Sequence, residues 1–282
     1  MPDNLDCMVK IFADDTKAYS AVSTSEQHSS LQNNIDKLLK WTEDWQIKFN
    51  SSKCKVLHLG KNNPMHNYSM EGNVLETTDA EKDLGVYIDT ALSFDHHINE
   101  SVKKANRTVG MISRYVVNKN KEIMVPLFKS LVRPILEYGN AIWSPSLIRQ
   151  STKVENVQRR FTKRVIGIGD LDYHERLRRL NLPSLHYRRR RGDMIETYKI
   201  LHEMYDNTSS INDLLKINKS TTRGHPLKLT KQHVHTNLFK SFFTNRIIND
   251  WNSLPSSVVM SETINSFKTA LDNEWKLSKF SI

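Results

Sequence analysis

At Asp95 the spacing of apolar residues changes, and that change limits the folds open to the chain. Upstream, short runs of strand-forming residues flank one helical stretch; downstream, apolar residues recur every three or four positions. This pattern predicts an α+β protein, with a β-hairpin, a helix and a small antiparallel sheet followed by a mostly helical remainder. Three regions are expected: 1–95, a basic helical region 96–206, and a helical C-terminal region 207–282.

The first runs are MVKIFA (8–13) and TKAYSA (16–21), separated only by Asp14 and Asp15. Asp tolerates the dihedrals of a two-residue turn, so the segment reads as a hairpin. Ser23 with Glu26, or Thr24 with Gln27, forms a capping box that opens a helix. Leu31, Ile35, Leu38, Leu39 and Trp45 then follow at helical spacing to about Phe49. Strand-like runs follow at 55–59, 68–75 and 84–89, and they predict the antiparallel sheet.

Beyond Asp95, one helical face is formed by Ile98, Val102, Ala105, Val109 and Ile112, and a second by Ile123, Leu127, Leu131 and Ile135, which Pro134 bends or ends. A third comprises Val154, Val157, Phe161 and Val165. Met194, Tyr198, Leu201 and Tyr205 mark another helix. The stretch 207–222 reads as a loop, and Phe242, Ile247, Trp251, Leu254, Phe267 and Leu271 as core. Two cysteines, Cys7 and Cys54, make no disulfide framework and no zinc finger. No apolar run approaches the roughly 18 residues that span a bilayer, and the acidic start MPDNLDC lacks the features of a signal peptide, so an intracellular protein away from membranes is expected.

The formal net charge of +10 is concentrated. Between Arg149 and Arg191 there are 13 basic residues against four acidic ones, a net of +9. Clustered arginine suits a polyphosphate, because each neutralised phosphate releases condensed counterions. Arg159, Arg160, Lys163 and Arg164 give one helix a basic front and an apolar back. Arg188, Arg189, Arg190 and Arg191 read either as part of the same backbone-binding face or as a nuclear import signal. The triplet Arg191, Gly192, Asp193 reads as chance, and His225, His233 and His235 lack the acidic or cysteine partners of a metal site.

Two adjacent carboxylates repel, and a divalent cation relieves that repulsion where a site is built for it. From the dipeptide alone a plain turn is the commoner outcome. The surrounding motifs carry more weight. Phe12-Ala13-Asp14-Asp15-Thr16-Lys17 resembles the catalytic strand-turn-strand motif of reverse transcriptases from retrotransposons without long terminal repeats, in particular jockey-like elements. Asn50-Ser51-Ser52-Lys53 with the strand after it is similar to the family's next motif. Asp83-Leu84-Gly85-Val86-Tyr87-Ile88-Asp89, with Phe94 and His97-Ile98, resembles its hairpin beside the primer. Leu136-Glu137-Tyr138-Gly139, Trp143, Gln158-Arg159-Arg160 and Trp251-Asn252-Ser253-Leu254-Pro255 are similar to its thumb and C-terminal region.

The resemblance implies a partial polymerase palm followed by a thumb. Asp14 would be a catalytic, metal-binding carboxylate for Mg²⁺, or alternatively Mn²⁺, with Asp15 its more positional neighbour. Lys53 would sit near the phosphates of an incoming deoxynucleoside triphosphate. Leu84, Gly85, Val86 and Tyr87 would brace the primer, and the basic helices would hold RNA template and DNA primer. One departure is marked: the family's third carboxylate comes from an earlier strand, whereas here only Asp3 and Asp6 precede the hairpin. The chain is therefore expected to begin within the palm and to be inactive alone. The expected function is the C-terminal part of an RNA-directed DNA polymerase; the alternatives are a non-catalytic nucleic-acid-binding protein of retrotransposon origin and, more remotely, a protein-binding scaffold.

Overall fold

In the computed structural model, which describes residues 4–205, 215–218, 224–234 and 236–276, the change of period coincides with a division into two units, Met1–Ser93 and Phe94–Ile282. Asp3, His235 and most of 207–222 lie outside the described residues.

In the first unit, β1 (Met8–Phe12) pairs antiparallel with β2 (Asp15–Tyr19), Phe12 facing Asp15. The two-residue turn is therefore Ala13-Asp14, one position earlier than the expected Asp14-Asp15. Ala13 adopts φ of +53°, a left-handed conformation that costs a residue with a β-carbon about 1 kcal/mol. Helix α1 (Ser25–Asp44) uses the Thr24–Gln27 capping box: Thr24 Oγ1 accepts from the Gln27 amide at 3.3 Å, and Gln27 Oε1 accepts from the Thr24 amide at 3.2 Å. It packs Leu31, Ile35 and Leu39 on Tyr68, Met70 and Leu75. The helix stops short of Phe49, and Trp45, expected on the buried face, is 65% exposed at the C-cap.

The expected antiparallel sheet is instead a set of separate two-stranded ladders. β3 (Lys55–Leu57) runs parallel to β6 (Glu76–Thr78), because the hairpin of β4 (Ser69–Met70) and β5 (Asn73–Val74) lies between them in sequence and serves as the crossover. β7 (Ala80–Asp83) and β8 (Val86–Asp89) close an antiparallel hairpin whose turn residues Leu84 and Gly85 both have positive φ, +43° and +87°. Glycine meets that demand without strain.

The second unit is helical: α2 (Asp95–Tyr115), α3 (Lys121–Leu127), α4 (Arg133–Glu137), α5 (Asn140–Trp143), α6 (Ile148–Thr162), α7 (Tyr173–Leu180), α8 (Leu185–Leu201), several short helical turns and a last helix, α9 (Ile264–Glu274). Ile98, Ala105, Val109 and Ile112 of α2 are buried, as are Val154, Val157 and Phe161 of α6. Between 121 and 137 the buried stripe is Met124, Phe128, Val132 and Leu136, whereas the expected Ile123 and Leu131 are 39% and 43% exposed. Both stripes are apolar in sequence, one residue apart. A stripe repeating every four residues drifts around an ideal helix, and the wider π-turn at Phe128–Val132 takes up that drift.

Among the described residues, one core crosses the expected boundary between 96–206 and 207–282. Met194 and Tyr198 of α8 share one core with Ile247, Trp251, Leu254, Phe267 and Leu271. Phe242, expected in that core, is 52% exposed. No helix among the described residues is long and apolar enough to cross a membrane.

Candidate functional site

The hairpin register decides where the two carboxylates stand. Asp14 occupies the tip, and Asp15 is the first residue of β2, opposite Phe12; both are exposed. Lys53 ends a 3₁₀ turn, Ser51–Lys53, and is likewise exposed. No grouping of three His, Cys, Asp or Glu able to hold a metal ion occurs among the described residues. Magnesium is commonly held by one or two carboxylates together with phosphate oxygens and water, so Asp14 and Asp15 fit as part of such a site and do not make a whole one.

Two of the motifs touch. Lys17 Nζ, on β2, lies 2.5 Å from Asp83 Oδ2 at the end of β7. The ion pair thus links the acidic hairpin to the Leu84-Gly85 hairpin. Sequence reasoning missed it, since a lysine and an aspartate 66 positions apart carry no pairing signal. In the second hairpin the four candidate primer residues divide: Leu84 and Gly85 are exposed at the turn, Val86 is buried at 3% exposure, and the Tyr87 ring lies 5.7 Å from Lys82 Nζ.

The basic residues divide more sharply. On α6 and just beyond it, Arg160, Lys163 and Arg164 are exposed and Arg159 half-buried. Their three- and four-residue spacings make them neighbours on the solvent side, while Val154, Val157 and Phe161 are buried. Arg159 stacks over the ring of Tyr173, its guanidinium carbon 4.3 Å from the centroid. Tyr173 is fixed in turn: its hydroxyl donates to buried Glu155 at 2.5 Å and accepts from Gln158 Nε2 at 3.0 Å. Burial, with the Glu155 charge beside it, pushes the Tyr173 hydroxyl far above its ordinary pKa. Glu155 also accepts the amides of Leu185 and His186, both at 3.1 Å, and so caps the start of α8.

The run Arg188 to Arg191, expected on a phosphate-binding face or as an import signal, does not form a solvent-facing strip. Arg188 forks onto Glu137. Arg189, 4% exposed, donates to Ser151 Oγ at 2.8 Å. Arg190 binds both oxygens of Asp250 at 2.8 Å and lies over the Trp275 ring, and Arg191 binds Asp272, which also accepts from Tyr187 Oη. Four consecutive helical residues are about 100° apart and encircle the helix, so they brace four neighbours instead of forming a stripe. Asp193 of the same stretch is also internal, paired with Arg246. Replacing Arg190 and Arg191 by glutamine is expected to cost about 1 kcal/mol each in urea unfolding, with the salt dependence of nucleic-acid binding unchanged; a reduced salt slope would return them to the interface.

His225 is 2% exposed, its Nε2 3.1 Å from the Trp251 carbonyl oxygen. Trp251 donates Nε1 to the Leu227 carbonyl at 2.8 Å, and Asn252 bonds both backbone groups of Leu229. The Trp-Asn-Ser-Leu-Pro segment thus anchors the C-terminal region.

No family model matches the sequence, and no solved structure matches the fold. Among curated proteins, the RNA-directed DNA polymerase from mobile element jockey of Drosophila melanogaster is 28% identical over 171 residues, covering 58% of this chain and 19% of the relative. Its counterpart in Drosophila funebris is 23% identical over 168 residues, 57% of this chain and 18% of the relative. The probable RNA-directed DNA polymerase from transposon BS of Drosophila melanogaster is 23% identical over 184 residues, 62% and 20% respectively. The chain spans about a fifth of the length of the curated relatives it matches. Over more than half its own length it is similar to the RNA-directed DNA polymerases of jockey-like mobile elements.

Proposed function

We propose that this chain is the C-terminal part of an RNA-directed DNA polymerase of a retrotransposon, contributing one metal-binding carboxylate and much of the grip on template and primer. The observation that carries the reading is the exposed tip Asp14, set on a hairpin that an ion pair links to a second hairpin of family-like sequence. Asp14, with Asp15 beside it, would hold Mg²⁺ or Mn²⁺, which supplies positive charge to the oxygens of a phosphoryl transfer. Lys53 would bind phosphates of the incoming nucleotide. Leu84 and Gly85, exposed at the turn, would meet the primer end, while Val86 serves the core. The basic face of α6 would hold the duplex backbone by contacts that position it without reading sequence.

The second reading, a nucleic-acid-binding module without catalysis, is favoured by the lack of a third metal donor among the described residues. One pair of measurements separates the two. The 282-residue chain should bind a primer-template with an affinity that falls steeply as salt rises, equally in the parent and in Asp14→Asn, and should add no nucleotides by itself. Extension that disappears in Asp14→Asn would show that these residues suffice for catalysis, and absence of binding at low salt would end both readings.

A further inference from the structure

Asn156, Arg159, Arg160, Lys163 and Arg176 line one pocket at α6 and α7. None of its four cations lies within ion-pair distance of a carboxylate among the described residues, whereas several neighbours do: Arg178 and Arg179 of α7 share Glu175, and Arg188, Arg190 and Arg191 each hold an acid. The fold thus pairs several of the surrounding arginines directly, while this set has no carboxylate in contact and Arg176 feels Asp172 only from farther off.

The pocket is also built in advance. Arg176 is 3% exposed, and burial pulls its pKa down. It donates Nε to Thr162 Oγ1 at 3.1 Å and Nη1 to the Leu171 carbonyl, and Nη2 has no hydrogen bond among the described residues. Its guanidinium carbon lies 5.5 Å from the centroid of the Tyr173 ring, and that of Arg159 4.3 Å from the same ring. Tyr173, fixed by Glu155 and Gln158, therefore holds two guanidinium groups in place before any ligand arrives. Burying a guanidinium with no carboxylate in direct contact is costly, and an anion in the pocket would add to the attraction of Asp172 and offset that cost.

We propose that this pocket seats one phosphate of a nucleic-acid backbone, clamped by Arg159, Arg160, Lys163 and Arg176; the inference rests on the nucleic-acid-binding reading above and assigns that reading a specific site. A single small anion would need only the pocket. The rows Asn156, Arg160, Arg164 and Arg159, Lys163 run along α6 and past its C-terminal end at four-residue spacing, as a chain of phosphates requires. Guanidinium groups suit the purpose because they present forked donors to phosphate oxygens. Arg176 drew no attention in the sequence beyond its charge, since its neighbours on α7 are also basic.

The test uses the full chain and a fluorescent RNA–DNA primer-template, read by anisotropy over a range of salt. Lys163 and Arg160 are exposed, so Lys163→Gln and Arg160→Gln leave the packing intact. Each should reduce affinity, and the double variant should lower the slope of log K against log salt by about 1, the value for a single phosphate contact, and not by two. Arg178→Gln, on α7 but paired with Glu175, should match the parent. Inorganic phosphate and phosphatidylserine vesicles are run beside it. Parent-like slopes in the Lys163 and Arg160 variants, with parental binding intact, would overturn the seat and leave the broader reading standing. Capture by vesicles but not by nucleic acid would overturn the assignment of the phosphate to a backbone, and a parent that binds no nucleic acid would bring down the broader reading itself.

Discussion

Arg246→Met is expected to destabilise the helical unit by about 3 to 5 kcal/mol, the cost of leaving one partner of a buried ion pair uncompensated. Arg246 forks onto Asp193, Nε to Oδ2 at 2.9 Å and Nη2 to Oδ1 at 2.8 Å. The side chains are 15% and 7% exposed. The same guanidinium reaches the carbonyls of Ala141 at 2.8 Å and Ser241 at 3.1 Å, so one side chain ties α8, α5 and the C-terminal region together. Methionine matches much of its volume and none of its donors.

The effect should depend on pH with a definite sign. Burial pushes the Asp193 carboxyl above its ordinary pKa, and Arg246 pulls it back. A carboxyl whose folded-state pKa lies above the unfolded value costs stability where it is ionised in both states, and that cost disappears as pH falls below the unfolded value. Arg189 also pulls the carboxyl down and Asp250 pushes it up, so removing Arg246 takes away the larger part of the opposing pull and raises the folded value further. The deficit of Arg246→Met relative to the parent should therefore shrink on acidification, and Asp193→Asn in the same background should recover part of it at neutral pH. Urea unfolding at several pH values reads both. A loss below about 1 kcal/mol would mean that water reaches Asp193 and screens the pair.

Much of this architecture is legible in sequence because periodicity is a local signal. The faces of α2 and α6, the capping box at Thr24 and the hairpins around Asp14 and Gly85 depend only on residues a few positions apart. Errors arose where two local patterns compete or where the partner is remote. Ile123 and Met124 head equally apolar stripes, and only packing against α2 and α6 selects the second. β3 and β6 pair in parallel across an intervening hairpin that the pattern of either strand does not register. The charge runs carry the clearest lesson. Arg188 to Arg191 are consecutive and so must encircle α8, whereas Arg159, Arg160, Lys163 and Arg164 recur on one face. Spacing alone separates a brace from a surface, and only the acids at Glu137, Asp250 and Asp272, far away in sequence, show what the brace holds.

For the acidic hairpin, the largest expected effect is on chemistry. In an RNA-directed DNA polymerase that contains this segment, Asp14→Asn should lower nucleotide addition on the order of 10³-fold or more, as loss of a group that stabilises developing charge does, with primer-template affinity unchanged. The amide keeps the shape of the carboxylate, so the turn at Ala13-Asp14 and the pairing of Phe12 with Asp15 persist. Asp15→Asn should cost far less, because Asp15 belongs to the ladder and only Asp14 stands at the tip. Lys17→Met should fall between the two: it leaves both carboxylates in place and removes the link to Asp83, so the two hairpins lose a fixed separation. Single-turnover extension under saturating primer-template isolates the chemical step from binding. Equal losses in Asp14→Asn and Asp15→Asn would show that both carboxylates hold the ion, and the one-residue shift of the turn would then have no functional consequence.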